Sequence, residues 1–343
     1  MFKYPTVFVI GAGASAEVNM PVGNQLAVKI SELLNFRFKF DQIESGDPAV
    51  FFAARAAIGS NRMQIDNEIY VAGNRVSQAL VVAPSIDTFV ENFSHDQTLV
   101  AVSKLGIAKA ILQAEKGSAL FANSNGLDLR RVRGTWFASL AEKLFSGVSA
   151  RDIKSAFKNV TFVTFNYDRC LELFLHAALI QWFGIDSNEA RDVLSGVRIY
   201  HPYGRLGSIW ATNGTAIPFG GENVELREVA DGLMTYSEST RDAALAAAIH
   251  HQMREARNLI YLGFAFHEPN MQLLTVGRHP NHPFPRIIAS TYGFSKPDTA
   301  VIEAQIADVY GMTSGETGGM ILTHAGKCVE IFNQYGKTMM VAA

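Results

Sequence analysis

One stretch near the start of the chain, Val7–Pro21 (VFVIGAGASAEVNMP), narrows the possible folds more than any other. Four apolar residues, Val7-Phe8-Val9-Ile10, stop abruptly at Gly11-Ala12-Gly13-Ala14-Ser15-Ala16. Apolar residues then recur at helical spacing, with Leu26, Ile30, Leu33 and Leu34 on one face. That order predicts a buried strand, a tight glycine turn and a helix. Gly11 and Gly13 carry no Cβ, so a pyrophosphate can approach the backbone there. The amides of Gly13, Ala14 and Ser15 are expected at a helix N-terminus, where the macrodipole favours an anion. The run fits G-x-G-x-x-G/A with Ala16 in the last place, although a plain tight turn produces the same spacing. Pro21 suits a helix start, where its missing N–H costs nothing.

Further strands are expected at residues 159–165 (NVTFVTF), Val197–Tyr200, Asn258–Leu262 and Arg286–Ser290, with a last one at Cys328–Phe332. Helical patterns separate them. A helix follows Asp168 with Glu172 and His176 at four-residue steps, another covers Thr240–Ala256, and another starts near Pro297. Strands alternating with helices predict an α/β fold, a Rossmann-like doubly wound parallel sheet. Residues 36–154 are rich in alanine and helical spacing, so they read as a large, mostly helical insertion. The core is then 1–35 plus 155–343. Within the insertion, Ser85 is an expected N-cap, followed by Ile86, Phe89, Val90 and Phe93 on a buried face. The alternation of Phe36, Phe38 and Phe40 suggests a strand with no evident partner. Residues 211–224, rich in Gly, Thr and Pro, read as a mobile loop.

Composition excludes several functions. A formal net charge of −2 over 343 residues gives no electrostatic case for nucleic acid or an anionic membrane. The two cysteines, Cys170 and Cys328, form no CxxC pair, so no zinc ribbon and no other metal is expected. Neither a signal peptide nor a membrane span is evident, and a cytoplasmic setting follows as the expectation.

Chemistry in a doubly wound sheet gathers at the carboxyl ends of its strands. Four such ends carry polar residues: Gly11–Ser15, Asn166–Asp168, His201–Gly204 and Gly263–Asn270. A nicotinamide dehydrogenase would need an acidic residue at the end of a second strand, about 20 positions after the first glycine. Glu32 has the spacing but lies in a helical pattern, which argues against a standard dehydrogenase.

In order and spacing, GAGAS, MPVG, TFNYD, HPYG and GFAFHEPN resemble the sirtuin fold over about residues 5–290. The resemblance is closer to the bacterial sirtuin-like NAD hydrolases of antiphage defence than to the protein deacylases. Phe165 stands where deacylases have glutamine, Pro202-Tyr203 separates His201 from its glycine, Val22-Gly23-Asn24 replaces a Phe-Arg pair, and zinc cysteines are absent. The resemblance implies that Asn166 and His201 are catalytic, that Asp168 neighbours the nicotinamide pocket and that Asp87, in SIDTFVENF, lines the ribose side. It also implies NAD+ as substrate, homo-oligomers, a role in antiviral defence and a separate translocase-type ATPase as partner.

The chemistry itself asks for such residues. Cleaving the nicotinamide–ribose bond passes through an oxocarbenium-like state, as in glycoside cleavage. Asn166 can orient a water or the carboxamide. His201, with an ordinary pKa near ~6.5, can take a proton from a water or ribose hydroxyl. Gly11 to Ser15, Pro21, Gly263 and His267 would line the rest of the NAD site. Structural alternatives stand beside each role. Asn166 suits a turn, His201 a buried hydrogen bond, Asp168 the first turn of a helix, Asp87 a place beside its cap, and His267 a helix start. At the level of function, the alternatives are an NAD-dependent protein deacylase and a non-catalytic module that binds NAD or ADP-ribose.

Overall fold

The apolar run after Pro5 forms β1 (Thr6–Ile10), buried at every residue. The structure, a computed structural model, describes residues 1–40, 42–58, 62–122, 126–210, 215–279 and 283–341. The remaining strands are β2 (Arg37–Lys39), β3 (Gln42–Ser45), β4 (Val160–Thr164), β5 (Arg198–Tyr200), β6 (Asn258–Leu262), β7 (Arg286–Ser290) and β8 (Ile321–His324). Six of them form one sheet in the order β5-β4-β1-β6-β7-β8, and every pairing in it is parallel. β1, β4 and β6 are buried at all positions, which is why they read as unbroken apolar runs rather than alternations.

From β1 the chain builds outward through β4 to β5, then returns to the other side of β1 and builds outward through β6, β7 and β8. The two halves therefore part between β1 and β6. A crevice opens at such a switch point, beyond the carboxyl ends of the strands. Ile10 pairs with both Thr164 and Leu262, so the three central strands end level. Whatever follows them meets at one place.

Helices cover both faces, as the alternating order predicts. The first six are α1 (Ala12–Ser15), α2 (Gly23–Leu34), α3 (Pro48–Ile58), α4 (Arg62–Ala79), α5 (Ile86–Asn92) and α6 (Gln97–Gly117). They are followed by α7 (Trp136–Phe145), α8 (Cys170–Phe183), α9 (Ser187–Ser195), α10 (Leu226–Asp231), α11 (Tyr236–Arg241) and α12 (Ala243–Glu255). The last are α13 (Glu268–Leu274), α14 (Lys296–Tyr310) and α15 (Cys328–Tyr335). On one face, Phe8 stacks on Phe162 at 5.5 Å and faces Phe332 of α15 at 6.3 Å. α7 and α8 join that layer through Trp136, Phe137 and Phe174. On the other face, Thr161 donates to Gln252 of α12 at 2.9 Å. Tyr310 of α14 donates to the Met253 carbonyl at 2.9 Å.

The insertion is helical, but its packing crosses the sequence boundaries drawn for it. α2, from the core segment, packs on α4 and α6, and α10, from far downstream, packs on α3 and α6. α7, from within 36–154, belongs to the sheet layer instead. The strand at Phe36–Phe40 does have a partner: β2 pairs antiparallel with β3. Cys328–Phe332 is not a strand but the start of α15, and the last strand lies earlier at β8. Five residues of mixed polarity fit either period, so tertiary packing decides. In the 211–224 loop, residues 211–214 lie outside the described residues. The rest is strapped down. Arg169 donates to the Ile217 and Pro218 carbonyls and pairs with Glu115 of α6, both side chains being buried. Glu115 also accepts from the Gly220 amide at 2.9 Å.

Candidate active site

A cavity of about 500 Å³ lies over the switch point. Its floor is a contact between two backbones. The Gly11 amide donates to the Leu262 carbonyl at 3.0 Å, continuing the β1–β6 ladder by one step. The Gly13 amide then donates to the Gly263 carbonyl at 2.9 Å. A Cβ on Gly11 would lie 2.5 Å from the Gly263 oxygen, and one on Gly13 2.9 Å from the Gly263 Cα. The glycines are thus required by the approach of the two strand ends to each other.

This corrects the expected phosphate cradle. The Gly13 amide is held by Gly263 and the Ala14 amide by the Gly11 carbonyl at 3.0 Å, so neither points at a ligand. The helix that follows is also only four residues, α1, before a 3₁₀ turn and the left-handed residue Asn19. The long amphipathic helix α2 starts separately at Gly23, with Leu26, Ile30 and Leu34 buried. Gly11, Ala12, Gly13 and Gly263 do line the cavity; Ala14, Ser15 and Pro21 do not, and Val22 and Gly23 stand in for Pro21. The Ala14 carbonyl accepts from the Trp136 indole at 2.8 Å, which fixes the turn from behind.

Asn166 follows β4 and enters the cavity wall beside this turn. Its side-chain nitrogen donates to the Gly11 carbonyl at 3.1 Å and to Ser15 Oγ at 3.0 Å. Both bonds are buried, and together they set which way the amide faces. The carbonyl oxygen of Asn166 is then the atom turned away from the turn. Ser15 donates in turn to Asp168 at 3.2 Å, and Asp168 accepts from the Cys170 amide at 3.1 Å. Asp168 is not among the cavity-lining residues; it binds the first amide of α8 and holds Ser15. Burial pushes its carboxyl up, against the hydrogen bonds that lower it.

Asp87 reaches the same end of the cavity from the insertion. Ser85 caps α5, accepting from the Thr88 amide at 3.1 Å, and so sets Asp87 in the first turn. Asp87 accepts a hydrogen bond from the Tyr167 hydroxyl. Burial raises the Asp87 carboxyl, while Tyr167 and His267 act to lower it. His267 also lines the cavity, at its exposed rim, and is the N-cap residue of α13.

His201 is not among the cavity-lining residues. The wall at this point is Tyr203, two residues on, whose hydroxyl donates to Asn270 at 2.6 Å. His201 is tied to Glu172 of α8 by a 2.9 Å contact through Nε2, and Arg205 binds the same carboxylate oxygen. Burial alone would raise Glu172, but His201 and Arg205 more than offset it and hold the carboxyl at about 2. Since the folded state holds the carboxyl below its ordinary 4.5, the pair adds stability above that pH. The contribution is lost as pH falls from about 4.5 towards about 2. Asp87, Asp168 and Glu115, raised by burial, act with the opposite sign. The difference in denaturant midpoint between wild type and Glu172→Gln isolates the term. It should shrink across that window; a difference independent of pH would show that no charged pair is present.

The far end of the cavity lies over β7 and α15, with Ser290, Tyr292, Phe294 and Lys327 in its wall. Lys327 sits over the Tyr292 ring at 5.9 Å. Glu17 also borders the cavity, but its carboxylate caps two helices, accepting from Trp136 N at 2.8 Å and Val329 N at 2.9 Å. Tyr203, Asn270, Glu17 and Lys327 had no expected role, because each is a single residue brought in by a different element. Among the described residues, no group of three or more His, Cys, Asp or Glu is placed to hold a metal ion. None of the described helices is long and apolar enough to cross a membrane. No family model matches the chain, and no curated protein matches it.

Proposed function

We propose that this protein is an NAD⁺ glycohydrolase that cleaves the nicotinamide–ribose bond to give nicotinamide and ADP-ribose. The observation that carries the reading is the cavity's course. It runs from Asn166 and Asp87, beyond β4, across the glycine contact of β1 and β6, to Ser290 at the end of β7 and Lys327 at the start of α15. The four strands β4, β1, β6 and β7 span about 14 Å at ordinary strand spacing. That length suits an extended dinucleotide better than a single nucleotide. A volume of about 500 Å³ falls within the range of small-molecule sites. Lys327 supplies a cation at the far end of the cavity, which this reading takes as the adenosine side.

In this reading the nicotinamide end lies between Asn166 and Asp87. The C–N bond breaks with its electron pair passing to the ring nitrogen, which neutralises the cationic ring. Positive charge develops on the ribose, and the Asp87 carboxylate stabilises it. Water oxygen bonds to the ribose carbon and loses a proton. Asn166, its amide fixed by Gly11 and Ser15, orients the water or the departing carboxamide. His201 is the assigned proton acceptor.

The motif order that resembles sirtuin-like defence hydrolases supports the same substrate. It brings with it homo-oligomers, a translocase-type ATPase partner and NAD⁺ depletion during phage attack as proposals. One observation favours a second reading, a non-catalytic module for NAD or ADP-ribose: Tyr203 lines the cavity and His201 does not. NAD⁺ turnover by the purified chain decides between them, since the module binds NAD⁺ and returns it intact.

A further inference from the structure

Glu172 was unremarkable in the sequence, one polar residue in an apolar helix. In the fold it is the third residue of α8, buried, and directed at His201. Its Oε1 accepts from His201 Nε2 at 2.9 Å and also from Arg205. Two atoms of this cluster are buried with no hydrogen-bond partner: Glu172 Oε2 and His201 Nδ1. The other charged group near Glu172 is Asp168, at the foot of the same helix. Both Glu172 and His201 have side chains only 8% exposed, whereas Arg205 is 40% exposed.

We infer that Glu172 is a positioning residue for His201, and that His201 exchanges its proton through Nδ1. A carboxylate has only acceptors to offer, so the ring nitrogen facing it must carry a hydrogen. With Nε2 protonated, the neutral ring keeps its lone pair on Nδ1. A buried nitrogen without a partner is costly, and a water or hydroxyl that donates to it recovers that cost. Glu172 is well placed to impose this, because a helix holds it and the Asp168 cap fixes the start of that helix. Arg205 sharing Oε1 keeps the carboxylate ionised and directed at the ring. A purely structural tie between α8 and the 201–205 segment would fix the same tautomer but leave NAD⁺ turnover by a folded Glu172→Gln protein unchanged.

The inference rests on the hydrolase reading for its reaction, but the tautomer can be measured without turnover. Long-range ¹H–¹⁵N correlation on histidine-labelled protein, at a pH where histidines are neutral, reports which nitrogen of His201 bears the hydrogen. The His201 signals are assigned by their loss in His201→Ala. Wild type should show hydrogen on Nε2 alone. Glu172→Gln, which keeps the shape but can donate as well as accept, should show the Nδ1–H form appearing. Glu172→Asp should retain the wild-type form. NAD⁺ turnover should fall about tenfold or more in Glu172→Gln and recover in part in Glu172→Asp. Hydrogen on Nδ1 in wild type, or a tautomer indifferent to Glu172→Gln, overturns the inference. The expected tautomers with no NAD⁺ cleavage by wild type would leave the pair standing and overturn the hydrolase reading instead.

Discussion

Asn166→Ala should lower NAD⁺ turnover by a factor of about 10²–10³, the usual loss when one preorganised polar group is removed from a reacting centre. The size of the effect follows from how firmly the side chain is held. Its nitrogen bonds the Gly11 carbonyl and Ser15 Oγ, and Ser15 continues to Asp168. The side-chain oxygen is thus fixed in direction before any ligand arrives. Truncation also removes two buried hydrogen bonds, to Gly11 and Ser15, although the Gly11 carbonyl keeps the Ala14 amide, so about 1–3 kcal/mol of stability should be lost with it. Melting curves and NAD⁺ binding by the variant separate the two effects. A folded variant that binds NAD⁺ and still turns it over at the wild-type rate would remove Asn166 from the mechanism.

Gly263→Ala is expected to damage the fold severely for its size. The added Cβ would sit 2.1 Å from Ala14 N and 2.3 Å from Gly13 C. Both are backbone atoms at the floor of the sheet's switch point, and neither can rotate away. Gly263 also has a φ of +55°, which alanine adopts only under strain. Strain and overpacking together should cost about 4 kcal/mol. Gly277→Ala is the control. Its φ is +65°, but nothing lies within 4 Å of an added Cβ. It should lose only the conformational part, about 1–2 kcal/mol. Equal losses in chemical denaturation of the two variants would show that the close approach of the glycine turn to Gly263 is not what requires glycine there.

Much of this fold was legible in the sequence, and the reason is burial. β1, β4, β6 and β7 are covered on both faces, so each appears as a short apolar run ended by polar or glycine residues. The Ser85 cap and the buried Ile86, Phe89 and Val90 were likewise written in local chemistry. β8 is only half-buried along its length, and its run Ile321–His324 has no such contrast. The start of the helix at Cys328 reads equally well as a strand, because its first five residues carry no decisive period. β3 escaped notice because its polar residues Gln42, Glu44 and Ser45 give it little strand character.

The candidate site divides along a similar line. Gly11, Gly13, Asn166 and Gly263 were identifiable because each ends a strong strand. The reason for the glycines was not identifiable, since it depends on β1 and β6 being neighbours. Nor could the sequence show that Ser15 and Asp168 support Asn166 from behind, or that Tyr203 rather than His201 lines the cavity. Those relations join residues separated by 2 to 153 positions and exist only once the sheet has formed. Asp87 is the instructive case. It lies in the helical insertion, yet its contact with Tyr167 places it against the TFNYD segment. The insertion therefore contributes directly to the nicotinamide end of the proposed site.

The most direct measurement is chromatographic separation of NAD⁺, nicotinamide and ADP-ribose after incubation with the purified 343-residue chain, alone and with host lysate. Nicotinamide and ADP-ribose should appear in equal amounts as NAD⁺ disappears, and Asn166→Ala should slow both about 10²–10³-fold. NAD⁺ that binds to the chain and is recovered intact under both conditions would contradict hydrolysis.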